Sequence, residues 1–166
     1  MQLIGLGQSA EDLLAAFKTE LVACGIELPK MSYIASGEIP WDGESLTLAL
    51  GTIQQGQPGK NATNSARSPD NIITTATFHV MILRKCAVVG DEGTRLSIPT
   101  RAKMNAEGIQ AIDDAGALMQ AGILIKANQT IVPLGVDMAI GPVLPMGPAG
   151  GLKAMSLACE ISLGTD

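Results

Sequence analysis

Histidine and cysteine are the side chains best suited to nucleophilic and metal chemistry, and this chain holds few of them. His79 is the only histidine, so any Ser-His-Asp or Cys-His arrangement would have to use it. It lies inside the apolar run FHVMIL, in a segment that reads as the middle of a strand rather than a strand end or loop. The sequence therefore predicts a structural role for His79.

The cysteines give no sign of a metal site or a redox pair. Cys24, Cys86 and Cys159 are far apart, odd in number and without a CxxC spacing. Paired spacing is what zinc sites and thioredoxin-like motifs require. The pattern predicts free, buried thiols in a reducing compartment.

The run GPAGGLKAMS at residues 147–156 is rich in glycine but does not fit a phosphate-binding loop. A P-loop needs Gly-Lys-Ser/Thr at the start of a helix, because the helix N-terminus supplies the amides that bind phosphate. Here Leu152 separates Gly151 from Lys153, and the following residues alternate as in a strand. A rigid turn between strands is predicted.

The adjacent acidic pairs Asp91-Glu92 and Asp113-Asp114 are further groups that could do chemistry. Adjacent residues on a helix point in different directions, so neither pair forms a convergent site. Both pairs are predicted to lie on a solvated surface.

Composition narrows the function classes further. The chain has 166 residues, 46% hydrophobic and 16% charged, as expected of one folded domain. Its net charge is −5, with no block of basic residues and only four aromatic side chains, which argues against tight binding of nucleic acid. The N-terminus has no basic region of a signal peptide, and no apolar stretch approaches about 20 residues, so no membrane span is predicted.

Helical spacing marks two segments. Residues 9–24 form the clearer one, with Ser9 as its N-cap and Gly25 as its stop. The second runs from residue 99 to about 127, where glycines weaken the helical pattern. The apolar residues that recur there are Met104, Ile109, Ile112, Leu118 and Met119.

Alternation of apolar and polar residues predicts four strands. They comprise residues 45–53, 74–85, 134–141 and 152–163. Strand 45–53 is predicted to be half-buried, with Leu46, Leu48 and Leu50 on its inner side. The segment 26–42 reads as irregular.

The order α-β-β-α-β-β predicts an α+β sandwich, a mostly antiparallel four-stranded sheet with two helices packed on it. Residues 1–166 form a single domain, since no repeat or composition break is visible. Two loops are unusual. One, an arm at about residues 54–73, is long and polar, and the other, residues 142–151, is stiff with proline and glycine.

The segment SGEIPWDGESLTLALGTIQQGQPG, residues 36–59, resembles a segment of tail terminator proteins from long-tailed (siphovirus-type) phages of actinobacteria. Those proteins tend to show Gly-Glu-x-x-Trp-Asp, then a strand, then Gly-Gln-Pro-Gly. A strand that ends in a basic residue, a helix after Pro99 and a loop rich in Gly and Pro follow in the same order. The matching residues are Gly37, Glu38, Trp41, Asp42, Gly56, Gln57, Pro58 and Gly59, then Gly141, Pro142, Pro145, Gly147, Pro148, Gly150 and Gly151.

The resemblance implies a tail-terminator-like α+β fold whose subunits form a hexameric ring. The ring caps the tail tube at its final length, ends polymerisation and presents a face to the head-completion (stopper) protein, while genomic DNA passes through the lumen without specific binding. It implies a structural protein of the virion tail or neck, assembled in the host cytoplasm. An enzyme activity, a cofactor, a metal and a membrane partner are not expected.

Both unusual loops are expected to contact neighbouring subunits, the tube or the stopper, with Trp41 and Asp42 bracing the base of the longer one. The candidate interface and structural residues are Trp41, Asp42, Gly56, Gln57, Pro58, Gly59, Pro142, Pro145, Gly147, Pro148, Gly150 and Gly151. Two alternatives stay open. One is another neck protein, such as a stopper or adaptor. The other is a small ligand-binding or enzymatic domain, which would need His79 or a thiol in an accessible pocket.

Overall fold

The structure, a computed structural model, describes residues 6–36, 43–55, 59, 74–86, 90–92, 95–97, 100–128, 137–149 and 151–163. Two helices and a five-stranded sheet make up an α+β fold, and two short strands pair separately. The elements in chain order are α1 (Leu6–Ala23), β1 (Met31–Ala35), β2 (Ser45–Gln55), β3 (Thr74–Lys85), β4 (Gly90–Glu92), β5 (Arg95–Ser97), α2 (Arg101–Asn128), β6 (Met138–Ala149) and β7 (Leu152–Leu163).

The main sheet has the strand order β1-β2-β3-β7-β6 and is mixed rather than purely antiparallel. β1 pairs with β2 in parallel, whereas the other three pairings are antiparallel. The prediction of four strands was therefore wrong, because β1 comes from the segment that was read as irregular. Five residues, MSYIA, are too few to show a periodic pattern, and their pairing with β2 provides the hydrogen bonds that define the strand.

Helix α1 begins at Leu6, three residues before its predicted start, so Ser9 lies inside the helix and is not its N-cap. Its end is as predicted. Gly25 has a φ of 80°, and its N–H donates to the Val22 carbonyl at 3.0 Å. The Ile26 N–H donates to the Leu21 carbonyl at 3.1 Å. This is a Schellman C-cap, which favours glycine because the left-handed backbone crowds a Cβ.

Both helices pack on one face of the sheet and enclose the main core. α1 contributes Leu13, Phe17 and Leu21, all fully buried, and α2 contributes Leu118 and Ile125. The sheet supplies the facing residues, which are Leu46, Leu48, Phe78, Val80, Leu157 and Cys159. The inward alternation predicted for β7 is confirmed by the burial of Leu157, Cys159 and Ile161.

The second face of the sheet is also buried at its centre. A smaller apolar cluster there contains Met81 and Leu83 of β3, with Tyr33 packed against it. Ser45 and Thr47 of β2 are fully buried on this side, and their hydroxyl oxygens lie 2.9 Å apart in a hydrogen bond. The start of β2 is thus buried on both faces, whereas the sequence predicted a half-buried strand.

Burial raises the pKa of the Cys159 thiol to about 12, whereas a cysteine in an unfolded chain ionises near pH 8.5. The unfolded chain thus releases a proton that the folded chain keeps. We therefore expect the free energy of unfolding to fall by about 1.4 kcal/mol per pH unit above about pH 9. Urea denaturation at several pH values measures this slope.

Lysine and tyrosine side chains also titrate at high pH. The part of the slope that is due to Cys159 is therefore the difference between the slopes of the wild type and the Cys159→Ala variant. Cys159→Ala should lose it, and Cys24→Ala, which changes a half-buried thiol, should keep it. Equal slopes in wild type and Cys159→Ala would show that Cys159 does not contribute.

Candidate assembly surfaces

The structure describes only part of the two loops singled out in the sequence. The longer loop was predicted to begin at about residue 54, but Gln54 and Gln55 belong to β2 and pair with β3. Gly59 has a φ of 73°, and its N–H donates to Oε2 of Glu160 at 2.5 Å. A Cβ on Gly59 would lie 3.3 Å from the Ala139 Cβ, so this residue sits against β6 and β7. The other candidates of this loop and its base, together with Gly150, lie outside the described residues: Trp41, Asp42, Gly56, Gln57, Pro58 and Gly150.

The stiff segment at 142–151 is a strand over most of its length, so its prediction as a loop was wrong. Pro142, Pro145, Gly147 and Pro148 all lie in β6, which pairs with β7 out to Ala149. The pairing register shifts by one residue at two places, between Ile140 and Val143 and between Met146 and Ala149. Each shift contains one Gly-Pro step of the sequence. Bulges tolerate both residue types, which explains how a proline-rich segment remains in a sheet.

The proline-rich strand β6 also forms one edge of the sheet. Pro142, Pro145 and Pro148 are exposed and have no backbone N–H to donate. A strand of this composition resists the addition of a further strand. The turn after it is held by Cys86, whose N–H donates to the Gly151 carbonyl at 2.8 Å. Assembly by extending the sheet at this edge is therefore disfavoured.

Helix α2 is apolar on two opposite sides. One side, with Ala117, Leu118, Ala121 and Ile125, packs on the sheet. The other carries large apolar side chains that face solvent, with exposed fractions of 61% for Ile109, 73% for Ile112 and 55% for Ile123. Met104, near the start of the helix, is also exposed but points in a different direction. We call this exposed side the outer stripe of α2, and its residues are Ile109, Ile112, Gly116 and Ile123.

The outer stripe was not recognised in the sequence, because the helical pattern was read as one set of residues. Met104, Ile109 and Ile112 are exposed, whereas Leu118 is buried. At 100° per residue, Ile112 and Leu118 point in directions more than about 100° apart. The signal that could have shown a second apolar side is the position of Ile109, Ile112 and Ile123, which do not share the helical spacing of Leu118 and Ile125.

A buried ion pair holds α2 on the sheet at the middle of the helix. Arg84 of β3 donates from Nε and Nη2 to the two carboxylate oxygens of Asp114, at 3.0 and 2.9 Å. Nη2 also donates to the Glu27 carbonyl at 2.8 Å, and Gln110 donates to Oδ1 of Asp114 at 3.2 Å. The hydrogen bond with Asp114 raises the pKa of Arg84 above its ordinary value.

Asp114 is buried, which corrects the prediction that both residues of the Asp113-Asp114 pair lie on a solvated surface; Asp113 is exposed. Nearer the start of α2, Lys153 of β7 donates from Nζ to the Glu107 carbonyl at 2.6 Å. Arg84 and Lys153 of the sheet therefore both hold the first half of α2, in which most side chains are exposed.

A shallow pocket of about 330 Å³ lies between the first half of α2 and the ends of β3 and β7. The residues that line it are Glu44, Arg84, Lys85, Lys103, Ala106, Glu107, Gln110 and Lys153. Arg84 and Lys153 are engaged in the contacts that hold α2, and a carboxylate oxygen of Glu44 accepts from the Lys85 N–H at 3.0 Å. This pocket contains neither His79 nor a cysteine.

His79 lies in the middle of β3, as predicted, and is half-buried. Cys24, Cys86 and Cys159 are free thiols, as predicted. Only Cys159 is buried, so the prediction of buried thiols was wrong for Cys24 and Cys86, which are half-buried. Within the described residues, no group of three or more His, Cys, Asp or Glu side chains is placed to hold a metal ion. The helices described in the structure are too short or too polar to cross a membrane.

No known protein family and no curated protein sequence matches this chain.

Replacing Arg84 with methionine should destabilise the fold by about 3 kcal/mol, because the Asp114 carboxylate would stay buried without its ion pair. Urea denaturation at neutral pH measures the loss. The double variant Arg84→Met/Asp114→Leu should recover most of it, since an apolar pair of similar volume needs no counterion.

Lys85→Met is the matched control, because Lys85 is the exposed next residue of the same strand. It should change the free energy of unfolding by less than about 0.5 kcal/mol. If Arg84→Met were as mild as this control, the ion pair would not be what holds α2 in place.

Proposed function

We propose that this protein is a non-enzymatic structural protein of a phage virion, a tail terminator. In this role six copies form a ring that caps the tail tube, ends its polymerisation and joins the tail to the head-completion protein. The partners are then other copies of the chain, the tail tube protein and the stopper protein. The protein is assembled in the host cytoplasm and resides in the tail or neck of the virion.

The observation that carries the proposal is the outer stripe of α2. Exposed apolar side chains that lie together on one surface can mark a contact site for another protein, whereas single exposed ones are normal. The stripe runs along a helix whose opposite side is already in the core, so packing on the sheet does not account for it. A protein that acts by assembly has a use for such a surface, whereas an enzyme of this size does not require it.

Residues 36–59 and 141–151 resemble segments of tail terminator proteins. For this reason we infer that the assembly is the capping of a phage tail. The α+β fold is compatible with it. A ring whose lower face matches the end of the tube, and whose upper face does not, stops growth, because heterologous contacts closed by cyclic symmetry leave no free site for another tube subunit. With a net charge of −5 for each subunit, such a ring would also repel DNA that passes through it.

The proposal predicts that the purified protein binds one end of preassembled tail tubes and stops their elongation when tube subunits are added. Negative-stain electron microscopy would show a ring at that end, and tube length measures the arrest. A protein that leaves elongation unchanged but binds tubes already capped would instead be a stopper or adaptor, and the proposal would fail.

The variant Ile109→Gln/Ile112→Gln tests the part played by the outer stripe. It should keep the fold, because both side chains are exposed, and should lose most of the capping activity. Val22→Gln is the matched control, since Val22 of α1 is as exposed as Ile109, at 61%, and lies outside the stripe. Equal capping by the two variants would remove the outer stripe as the basis of the proposal.

A further inference from the structure

The main sheet has an open edge along the second half of β2. β1 pairs only with the first half of β2, and its last partner there is Ala49. Residues 45–49 of β2 are all buried, whereas residues 50–54, which lie beyond the end of β1, are all exposed. Among the described residues, no strand pairs with residues 50–55 on the side away from β3. We call residues 50–55 the free half of β2.

The free half of β2 lacks the features that usually protect a sheet edge. Charged residues or prolines keep natural edges from pairing with another chain, and β6, at the opposite edge, has three prolines. The sequence of the free half, Leu-Gly-Thr-Ile-Gln-Gln, has neither, and Leu50 and Ile53 are 44% and 50% exposed. Its one irregularity is a bulge at Gly51, where a Cβ would lie 2.6 Å from Nε2 of His79. This edge is therefore suited to accept a further strand.

The strands β4 and β5 form a separate sheet of only two strands. They pair at three positions, from Gly90 with Ser97 to Glu92 with Arg95. Within the described part of the chain, neither strand pairs with the main sheet. Two short strands are marginally stable by themselves and need a third strand or a packed face.

Of these two strands, β5 matches the free half of β2 better. The sequence of β5 is Arg-Leu-Ser, with an apolar residue at its centre, whereas β4 is Gly-Asp-Glu. The free half of β2 is uncharged and carries two exposed apolar side chains. Pairing through β5 keeps the acidic strand β4 on the outside.

The β4–β5 pair cannot reach the free half of β2 in its own subunit. β4 starts five residues after Lys85, the last residue of β3, so Asp91 lies at most about 22 Å from Lys85. Thr52, in the free half, pairs with Thr77, which lies eight residues before Lys85, or about 27 Å along β3. With β5 placed against β2, β4 would also lie three strand spacings, or about 14 Å, to the side of β3. Asp91 would then have to be about 30 Å from Lys85, so the strand that covers this edge comes from another molecule.

We propose that subunits of this protein join by strand addition, with β5 of one copy pairing with the free half of β2 in the next copy. The donor follows the Lys85 end of β3, whereas the acceptor lies at the Thr74 end. Each copy can therefore donate to one neighbour and accept from another, and such heterologous contacts continue as a filament or close as a ring. This rests on the proposed function for the closure of the ring, and it names the contact that holds neighbouring subunits together.

Each contact of this kind is small. Pairing over three residues buries far less than the roughly 800 Å² that each partner buries in a standard stable interface, so the dissociation constant should be on the order of 100 μM. In a closed ring every subunit is held at two contacts, which strengthens the assembly without any new interaction.

Sedimentation velocity of the full-length protein, without tail tubes and from about 10 μM to about 1 mM, tests the contact. The wild type should form oligomers that grow with concentration. Ile53→Lys places a charge in the acceptor, and Leu96→Pro breaks the donor strand. Each variant alone should be a monomer. An equal mixture of the two should form dimers and nothing larger, because one intact donor then meets one intact acceptor.

Leu144→Lys is the matched control, because Leu144 is an exposed apolar residue of the opposite edge strand, β6. It should associate as the wild type does. Urea denaturation of all three variants should give the wild-type midpoint, since Ile53 and Leu144 are exposed and β5 does not pair with the main sheet.

A wild type that stays monomeric over the whole range, or an equal mixture of Ile53→Lys and Leu96→Pro that stays monomeric, would overturn the proposal. Dimers formed by Leu96→Pro alone would indicate that two copies of β2 pair with each other, which would overturn it as well. Because no tubes are present, each of these results leaves the capping experiment to decide the proposed function by itself.

Chemical cross-linking tests which strands meet. In a background of Cys24→Ser and Cys86→Ser, in which Cys159 stays buried, an equal mixture of Thr52→Cys and Leu96→Cys proteins is treated with a short bismaleimide. Mixed dimers are expected. Leu144→Cys in place of Thr52→Cys is the control and should give none. Equal yields from the two mixtures would show that β5 has no preference for β2, and the proposal would fail.

Discussion

The ion pair between Arg84 and Asp114 determines how α2 lies on the sheet. Both groups are largely removed from water, and two hydrogen bonds join them, with further bonds from Gln110 and to the Glu27 carbonyl. A buried carboxylate without a partner is costly, so α2 cannot rotate about its axis or slide along the sheet without a large loss of stability. This contact therefore defines which side of α2 enters the core and which side faces solvent.

The surfaces left for assembly follow from that orientation. With Leu118 and Ile125 directed into the core, the outer stripe is directed away from the sheet and its large side chains are exposed. The edge at β6 offers little alternative, because its exposed prolines lack the donors that another strand would need. This edge is therefore unsuited to pairing with a further strand.

The sequence predicted those parts of the fold in which a local pattern of residues is compatible with only one structure. The glycine that ends α1 and the alternation along β7 are of this kind, since a left-handed C-cap and a two-residue period depend on few neighbours. β1 was not predictable, because its five residues become a strand only by pairing with β2. Nor was β6, where Gly-Pro steps that are typical of loops lie at bulges of a paired strand.

The sequence by itself determined the class of the protein, an α+β chain with little charge and few residues suited to chemistry. It also held the apolar residues and glycines of α2. Only the tertiary structure decided which of those residues face the core, because the helical pattern is apolar in more than one direction and cannot distinguish the two sides. The position of Arg84 on β3, opposite Asp114, resolves that ambiguity, since a buried charge has to lie where its counterion is.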